Sequence, residues 1–353
     1  MSESFYDGSK LLSLKDINKQ TPEIFISTSN RAAGKTTYFG RKVVSDFLKK
    51  GLKFGLLYRY GYELNEVCDK FFNDLHTLFF PDMVMTQKTG EKDTYIELYL
   101  QSITDKETPP VMCGYAIAIN KADNVKKLSH LMSSVSVLLF DEFQPESGQY
   151  ASNEIQKFHS VHTSLARGGG KQVRYLPVIM ISNFVSLLNP YYTAMGISDR
   201  LQENANYLRG DGWVLEQGFN ETASHLQKES AFNRAFGKSK YNQFSSEKFY
   251  LNDNNTFVGK MDGKSIYIMS IRYDGKWFGV RYYTDRMVVY ISKTPDLSQK
   301  RKIAVSVDDM CEDTTLISRT DPLMIRLREF FEKGAFRFQN LEAKTAAFNL
   351  LSY

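Results

Sequence analysis

The sequence predicts an α/β protein with a mainly parallel β-sheet and helices on both faces, followed by a smaller α+β domain. Over residues 1 to about 215, short apolar runs alternate with stretches of helical periodicity, which is typical of parallel strands joined by helices. From about residue 246, short β segments separated by Asp-Gly turns precede two helical stretches. A length of 353 residues accommodates two such domains.

Composition narrows the class of protein. The hydrophobic fraction is 42%, and no apolar run reaches about 18 residues, so we expect a globular chain with no membrane partner. The N-terminus MSESFYDGSK lacks a signal-peptide core. Cys68, Cys113 and Cys311 lack metal-ligand spacing and are expected to be reduced thiols in a cytosol. Because the net charge of +5 is mild, any nucleic-acid surface must be a local cluster.

The segment EIFISTSNRAAGKTT predicts a strand, a phosphate-binding loop and the start of a helix. Ser29–Thr36 (SNRAAGKT) matches the phosphate-loop pattern G-x-x-x-x-G-K-[ST], except that Ser29 replaces the first glycine. Lys35 is expected to reach the β- and γ-phosphates of a nucleotide, and Thr36 to bind Mg²⁺. The candidate nucleotide-binding residues are Ser29, Asn30, Arg31, Ala32, Ala33, Gly34, Lys35, Thr36 and Thr37.

The segment VSVLLFDEF predicts a second buried strand that ends in acidic residues. Asp141 and Glu142 follow the apolar run Val135–Phe140 at its carboxyl end, where open α/β sheets bind ligands. We expect Asp141 to hold Mg²⁺ and Glu142 to polarise an attacking water. Each motif alone also has a simpler interpretation. The first could be an ordinary helix start, and the second could be a strand that ends in two acidic residues. Their order and context together indicate a P-loop nucleoside triphosphatase that hydrolyses its nucleotide.

Two other strand ends carry polar or aromatic residues. The strand PVIMISN ends in Ser182 and Asn183, which we interpret as sensor and coupling residues; an ordinary asparagine turn is the alternative. The end of the second predicted strand carries Tyr58, Arg59, Tyr60 and Tyr62. These residues face the nucleotide or a neighbouring subunit in one interpretation, and they pack as an aromatic surface in the other.

A glycine-rich loop is predicted after the helix Asn153–Ala166. Gly168–Gly170 contains more glycine than a helix C-cap needs, so we expect a mobile loop that carries basic residues. Its arginine could reach a neighbouring subunit's γ-phosphate, or the loop could line a DNA channel. The basic residues of this loop are Arg167, Lys171 and Arg174.

The remaining elements follow from the same patterns. Strands of the first domain are predicted at Glu23–Ser27, Phe54–Arg59, Thr94–Tyr99, Gly114–Ala118, Val135–Phe140 and Val178–Ser182, and helices at Lys35–Leu48, Tyr62–Phe79 and Asn153–Ala166. The predicted domains are 1–215 and 246–353, joined by a helical linker over 216–245 that contains Glu221–Phe236. Second-domain strands are predicted at Thr256–Gly259, Ser265–Tyr273, Trp277–Tyr283 and Met287–Ser292, and helices at Asp321–Lys333 and Asn340–Leu351.

Nearly end to end, the chain resembles the genome-packaging (encapsidation) ATPases of small tailed phages of the phi-29 type, the Picovirinae. The resemblance lies in NRAAGKT, YRYGYEL (Tyr58–Leu64), LLFDEF (Leu138–Phe143), ISNFVSLLNPYY (Ile181–Tyr192), VDDM (Val307–Met310), TTLIS (Thr314–Ser318) and GAFRFQN (Gly334–Asn340). It implies an additional-strand, catalytic-glutamate P-loop ATPase domain. It also implies an RNase H-like C-terminal domain that has lost its nuclease activity, as in a terminase-like large subunit.

The resemblance further implies roles and partners. Asp141 would be the Walker B acid, Glu142 the catalytic base and Arg167 a finger acting in trans, with Lys126 or Lys127 also acting across the subunit interface. The implied cofactors are ATP and Mg²⁺. The implied assembly is a ring, most often a pentamer, that drives double-stranded DNA through the portal into an empty prohead. It would work in the host cytoplasm, transiently at the portal vertex, and a structural packaging RNA is left open as a further partner.

Residues of the second domain favour nucleic-acid or portal binding over DNA cleavage. A nuclease of this fold needs clustered carboxylates to bind two metal ions. The strand Ile266–Tyr273 offers Ser270 and Arg272 instead, and Asp308–Asp309 is the nearby acidic pair. The domain also contains a basic run, Lys300, Arg301 and Lys302. This run could bind phosphates, or it could be a solvated loop.

Three alternatives stay open at this point. One is a terminase-type ATPase that also has metal-dependent nuclease activity. Another is a small-molecule or nucleoside kinase, which shares the GKT loop but has no use for an α+β C-terminal domain. The third is a non-catalytic capsid component, against which Lys35 and Glu142 argue.

Overall fold

The structure is a computed structural model. It describes residues 6–90, 94–105, 107–167, 172–198, 200–201, 205–236, 250, 257–318 and 320–352. The chain divides into two compact units, Met1–Asn252 and Asp253–Tyr353. The predicted division lies earlier, near residue 246. Tyr250 nevertheless belongs to the first unit, because its buried ring packs 5.3 Å from that of Phe184.

The first unit alternates helices and strands over most of its length. Short 3₁₀ turns also occur at Gly61–Leu64, Ile119–Lys121 and Ser129–Met132. In chain order the elements are α1 (Ser9–Ser13), β1 (Ile24–Ser29), α2 (Lys35–Lys50), β2 (Lys53–Tyr58), α3 (Val67–Phe79), β3 (Met83–Thr89), β4 (Tyr95–Ser102), β5 (Val111–Ala118), α4 (Ala122–Leu128), β6 (Val135–Asp141), α5 (Glu154–Leu165), β7 (Val178–Asn183), α6 (Pro190–Ala194), β8 (Tyr207–Arg209), β9 (Trp213–Gln217), α7 (Glu221–Glu229) and α8 (Ala231–Ala235).

The strands of this unit form one sheet, ordered β3-β4-β5-β2-β6-β7-β1-β9-β8. Its centre is parallel, from β5 through β2, β6, β7 and β1 to β9, and antiparallel strands flank it on both sides. The sheet therefore confirms the predicted α/β class. Strand β7 lies between β1 and β6, which is the additional strand that the resemblance implies. Since β9 pairs with β1, the sheet extends past the predicted boundary at residue 215.

Helices cover both faces of the sheet. On one face α2 and α3 bury Phe39 and Phe71 against apolar strand residues such as Leu139. On the other face α4 and α5 bury residues including Val161 against Phe140. Leu139 and Phe140 point to opposite faces because strand side chains alternate, so both faces of β6 must be apolar.

The predicted strands and helices of the first domain all occur, with ends shifted by a few residues. The sequence patterns missed α1, α4, α6, β3, β8 and β9. Strand β9 is the most consequential omission, because it pairs directly with β1 beside the phosphate loop. The predicted helix Glu221–Phe236 is interrupted at Ser230, whose side chain accepts a hydrogen bond from Asn233 N and so caps α8.

The second unit is α+β, as predicted. It contains β10 (Ser265–Tyr273), β11 (Lys276–Tyr283), β12 (Val288–Ser292), β13 (Lys302–Ala304), β14 (Thr315–Leu316), α9 (Pro322–Glu332), β15 (Phe336–Phe338) and α10 (Leu341–Ser352). The sheet order is β14-β13-β10-β11-β12-β15. Strands β10, β11 and β12 are antiparallel, and β13 is parallel to β10, which fits the RNase H-like arrangement expected. Of the predicted strand Thr256–Gly259, Thr256 lies outside the described residues, and Val258 forms only an isolated bridge with Phe338.

Gly114 of β5 lies too close to the backbone of β2 for a side chain to fit. A Cβ added to Gly114 would lie 2.2 Å from the carbonyl oxygen of Phe54, its partner on β2. Gly114→Ala should therefore lower the free energy of unfolding of this unit by about 2 kcal/mol. Urea unfolding followed by Trp213 fluorescence, in a Trp277→Phe background, measures it. The control Gly218→Ala, whose Cβ meets nothing closer than 3.8 Å, should change stability little. Equal stability of the two variants would contradict the prediction.

Candidate nucleotide-binding site

The loop between β1 and α2 leads into the helix N-terminus through residues with positive φ, which fits the predicted phosphate-binding loop. Gly34 precedes α2 with φ +92°, a backbone region that favours glycine, and Ala32 also has a positive φ of +59°. Ser29 is the last residue of β1 and has no positive φ, so serine replaces glycine there without backbone strain. The first amides of α2 have no acceptor within the helix, and they point along its axis toward this loop.

Lys35 places its ammonium group inside the loop. Its Nζ donates to Ser29 Oγ at 2.5 Å, to Asn30 O at 3.4 Å and to Asn183 Oδ1 at 3.5 Å. Burial lowers the pKa of this ammonium to about 8, and the charges of Asp141 and Glu216 offset part of that shift. A buried cation surrounded by neutral oxygen acceptors is suited to bind an anion such as a phosphate.

Thr36 and Asp141 bring two oxygen ligands together. Thr36 Oγ1 donates to Asp141 Oδ2 at 2.8 Å, although the residues come from α2 and from the end of β6. Asp141 Oδ1 also accepts from the backbone N–H of Glu142 at 2.8 Å. A hydroxyl beside a carboxylate is the donor set that Mg²⁺ takes together with phosphate oxygens, so these residues fit the ion. Burial raises the pKa of the Asp141 carboxyl, an effect that a bound cation would counteract.

Glu142 occupies the exposed rim of the same edge. Its φ of +53° is in the left-handed region, which is strained for a residue other than glycine. Partial desolvation raises the pKa of its carboxyl, and the nearby carboxylates of Asp141 and Glu146 raise it further. A carboxylate with a raised pKa is a better proton acceptor than an ordinary one, which suits a general base.

Asn183 connects the predicted sensor strand to the site. Its Oδ1 faces Lys35 Nζ, and its Nδ2 donates to Glu146 Oε1 at 3.3 Å. Glu146 also forms an ion pair with Arg31 of the loop at 3.1 Å. Ser182 is buried, and its hydroxyl donates to the carbonyl oxygen of Asn183 at 3.0 Å. The amide of Asn183 is thus the group of this pair that reaches the phosphate loop.

A buried ion pair that the sequence patterns missed supports the turn after β6. Arg59 Nε lies 2.8 Å from Glu154 Oε2, and both side chains are buried. Glu154 Oε1 accepts from the Tyr191 hydroxyl at 2.7 Å, and Arg59 Nη2 donates to Phe143 O at 2.9 Å. Burial alone would lower the pKa of the Arg59 guanidinium, and Glu154 more than offsets this, so the net shift is upward. A glutamate opening a helix was a weak signal for this pair, since such residues are common.

A cavity of about 360 Å³ adjoins the Thr36–Asp141 pair. Tyr62 lines this cavity, is 70% exposed, and stacks on the ring of Tyr60 with centroids 5.4 Å apart. Arg59 and Tyr62 both line the cavity, and Arg59 also forms the buried pair with Glu154. The residues that line it include Thr36, Tyr58, Tyr62, Glu63, Asp141 and Glu142.

The predicted residues acting in trans lie outside this cluster. Arg167 is exposed just beyond the end of α5, and Lys126 and Lys127 are exposed in the last turn of α4. Gly168–Gly170 and Lys171 lie outside the described residues. The interface roles of these residues stay predictions.

Arg174, Arg301 and Lys302 each form contacts within their own unit. Arg174 Nη2 donates to Leu165 O at 2.8 Å, at the C-terminal end of α5. Arg301 pairs with Asp321 at 2.9 Å, Lys302 pairs with Asp313 at 3.4 Å, and Lys300 is exposed. Their contacts with nucleic acid stay predictions.

The acidic pair of the second unit has its own partners. Asp309 is buried, and it accepts from Ser306 Oγ at 2.7 Å and from Gly275 N at 3.3 Å. Within the described ranges, no group of three or more His, Cys, Asp or Glu side chains is placed to hold a metal ion. None of the helices described combines the length and apolarity that a bilayer span requires.

Comparison with known proteins gives matches along the whole chain. A family model described as podovirus DNA encapsidation protein (Gp16) matches residues 1–353. The chain is 26% identical over 350 residues to the DNA packaging protein of Bacillus phage phi29, covering 98% of this chain and 96% of that protein. It is 24% identical over 326 residues to the DNA packaging protein of Bacillus phage B103, covering 91% and 94%.

Solved structures share the fold. A chain of the bacteriophage Phi-29 viral genome packaging motor assembly has a TM-score of 0.71 at 22% identity, with 99% of this chain and 98% of that chain covered. The Phi-28 gp11 DNA packaging motor has a TM-score of 0.59 at 19% identity, with 100% and 99% covered.

Removing the negative charge of Glu154, which supports the turn after β6, should destabilise the first unit. Glu154→Gln leaves the buried Arg59 guanidinium without a counter-ion, so the free energy of unfolding should fall by about 3 kcal/mol. The same Trp213 fluorescence unfolding measures it. Lys50→Ala, which removes an exposed ion pair to Asp46, is the control and should cost less than about 1 kcal/mol. A Glu154→Gln variant as stable as the wild type would show that the pair does not hold the turn.

Proposed function

The chain belongs to the podovirus DNA encapsidation protein (Gp16) family and is a DNA-packaging motor ATPase, and we propose that it hydrolyses ATP at the carboxyl edge of its main sheet. The observation that carries this assignment is the contact of Thr36 with Asp141 at 2.8 Å, between the phosphate loop and the acidic strand end. Lys35 and Glu142 flank that contact on the same edge of the sheet. The four side chains supply the cation, the metal ligands and the base that ATP hydrolysis needs.

Each residue has a separate task in this proposal. Lys35 and the first amides of α2 bind the phosphates, while Thr36 and Asp141 would hold Mg²⁺. When bound, Mg²⁺ would neutralise charge that develops on the phosphate oxygens. Glu142 orients a water molecule and accepts its proton. Asn183 contacts both Lys35 and Glu146, so it is placed to respond to the state of the phosphate site.

The proposed function also includes assembly of several subunits around DNA. On the family's pattern, subunits form a ring, a pentamer most often, at the portal of an empty prohead in the host cytoplasm. The ring drives double-stranded DNA inward, with a structural packaging RNA as an optional further partner. The exposed Arg167 is proposed to act on the nucleotide of a neighbouring subunit, assisted by Lys126 or Lys127. The second unit is proposed to bind nucleic acid or portal. No nuclease activity is proposed for it, because β10 offers Ser270 and Arg272 where a nuclease of this fold needs carboxylates.

Two substitutions separate nucleotide binding from hydrolysis. Lys35→Ala should abolish ATP binding, because the phosphates lose their buried counter-ion. Glu142→Gln should bind ATP but hydrolyse it about 10²–10⁴-fold more slowly, since an amide cannot accept the proton of water. Binding of a fluorescent ATP analogue and release of phosphate measure the two steps. Lys50→Ala, at the far end of α2, is the control. Wild-type turnover by Glu142→Gln would refute the assignment of the base.

A subunit-mixing experiment tests the proposed role of Arg167. Arg167→Ala should leave ATP binding intact and lower hydrolysis in the assembled motor by about 10³–10⁵-fold, as expected for an arginine finger. Rings that mix Arg167→Ala with Glu142→Gln subunits contain some interfaces with an intact base and an intact arginine, so ATPase activity should partly return. If rings shown to contain both variants stay inactive, Arg167 does not act in trans.

A further inference from the structure

Hydrogen bonds join the phosphate loop to Asn220, which is 190 residues away from Asn30 in sequence. The side chain of Asn30 is fully buried, and its Nδ2 donates to Asn220 O at 3.0 Å. Its Oδ1 accepts from Asn220 N at 2.9 Å, so one side-chain amide satisfies both backbone groups of one residue. The contact continues the pairing of β1 with β9, because Gly218 N donates to Thr28 O at 2.8 Å just before it. The loop thus stays attached to the chain that leaves β9.

Asn220 also begins helix α7. Its Oδ1 accepts from Ala223 N at 2.9 Å, which caps the helix, and its Nδ2 lies 3.5 Å from Ala33 O in the phosphate loop. One residue therefore joins the N-terminus of α7 to two positions of the loop.

Asn30 also contacts Lys35, the lysine expected to bind the phosphates. The carbonyl oxygen of Asn30 accepts from Lys35 Nζ at 3.4 Å, so the position of Asn30 helps to set the position of the ammonium group. Ala32, between these residues, has a positive φ that costs energy for any residue other than glycine. A loop strained in this way needs contacts from outside to hold its shape before a ligand arrives.

We propose that Asn220 is a positioning residue for nucleotide binding, which acts through its contacts with Asn30 and Ala33 of the phosphate loop. It holds the phosphate loop in its binding conformation and couples occupancy of the loop to the order of α7. The inference rests on the proposed ATP site. By linkage, if order in α7 favours nucleotide binding, nucleotide binding favours order in α7 to the same degree.

Affinity, turnover and hydrogen exchange together test this coupling in the full chain. Asn30→Ala removes both hydrogen bonds and should weaken binding of a fluorescent ATP analogue about tenfold. Asn220→Ala keeps the two bonds between the Asn30 side chain and the backbone of residue 220, but it removes the cap of α7 and the contact with Ala33 O, so it should weaken binding severalfold. The double variant loses all of these contacts and should bind more weakly than either single variant. Turnover of Asn220→Ala at saturating ATP should stay within about twofold of the wild type, since Lys35 and Glu142 are unchanged. ATP analogue should slow amide exchange in α7 of the wild type but not of Asn30→Ala.

Ser230→Ala is the matched control. It removes the cap of α8, so it perturbs a neighbouring helix without touching the loop. It should keep both wild-type affinity and the nucleotide-dependent protection of α7. Wild-type protein that binds no ATP analogue would overturn the proposed site together with this inference. Wild-type protein that binds the analogue, with Asn30→Ala and Asn220→Ala folded and binding equally tightly, would overturn the inference alone.

Discussion

The site depends on the parallel register of three neighbouring strands, β1, β7 and β6. Ser29 is paired with Asn183, and Asp141 with Ile181, so three buried strands end at the same edge of the sheet. Parallel strands share a direction, and their polar end residues therefore converge without any long-range side-chain contact. The contacts of Thr36 with Asp141 and of Lys35 with Asn183 follow from this register, since a shift of one residue would turn the alternating side chains to opposite faces.

Buried polar contacts hold this edge in shape. The Arg59–Glu154 pair is costly to desolvate, and such a pair is seldom more stable than an apolar replacement. Its donation to Phe143 O suggests why a charged pair occurs here, because it fixes the turn that carries Glu142 in a left-handed conformation. On the opposite side of the site, the neutral side chain of Asn30 holds the phosphate loop to Asn220. The strained residues Glu142 and Ala32 each have a buried polar anchor next to them.

Sequence patterns predicted the central strands and the identity of the site because apolar strands ending in GKT or in DE carry strong local signals. They missed β9, whose short run WVLEQ contains a buried glutamate and lacks a clear period. Glu154 and Asn220 were missed because each contacts residues distant in sequence, and a single sequence records no such pairing. The replacement of glycine by Ser29 left the loop geometry open until the backbone showed that this position belongs to a regular strand.

The most direct test of the account is the rate of ATP hydrolysis by the full chain, measured with and without its phage's proheads and double-stranded DNA, with nuclease protection of the DNA as a second readout. Turnover should rise when proheads and DNA are both present, and DNA should become nuclease-resistant only with ATP. Turnover that is indifferent to DNA and proheads, with all DNA left sensitive to nuclease, would contradict it.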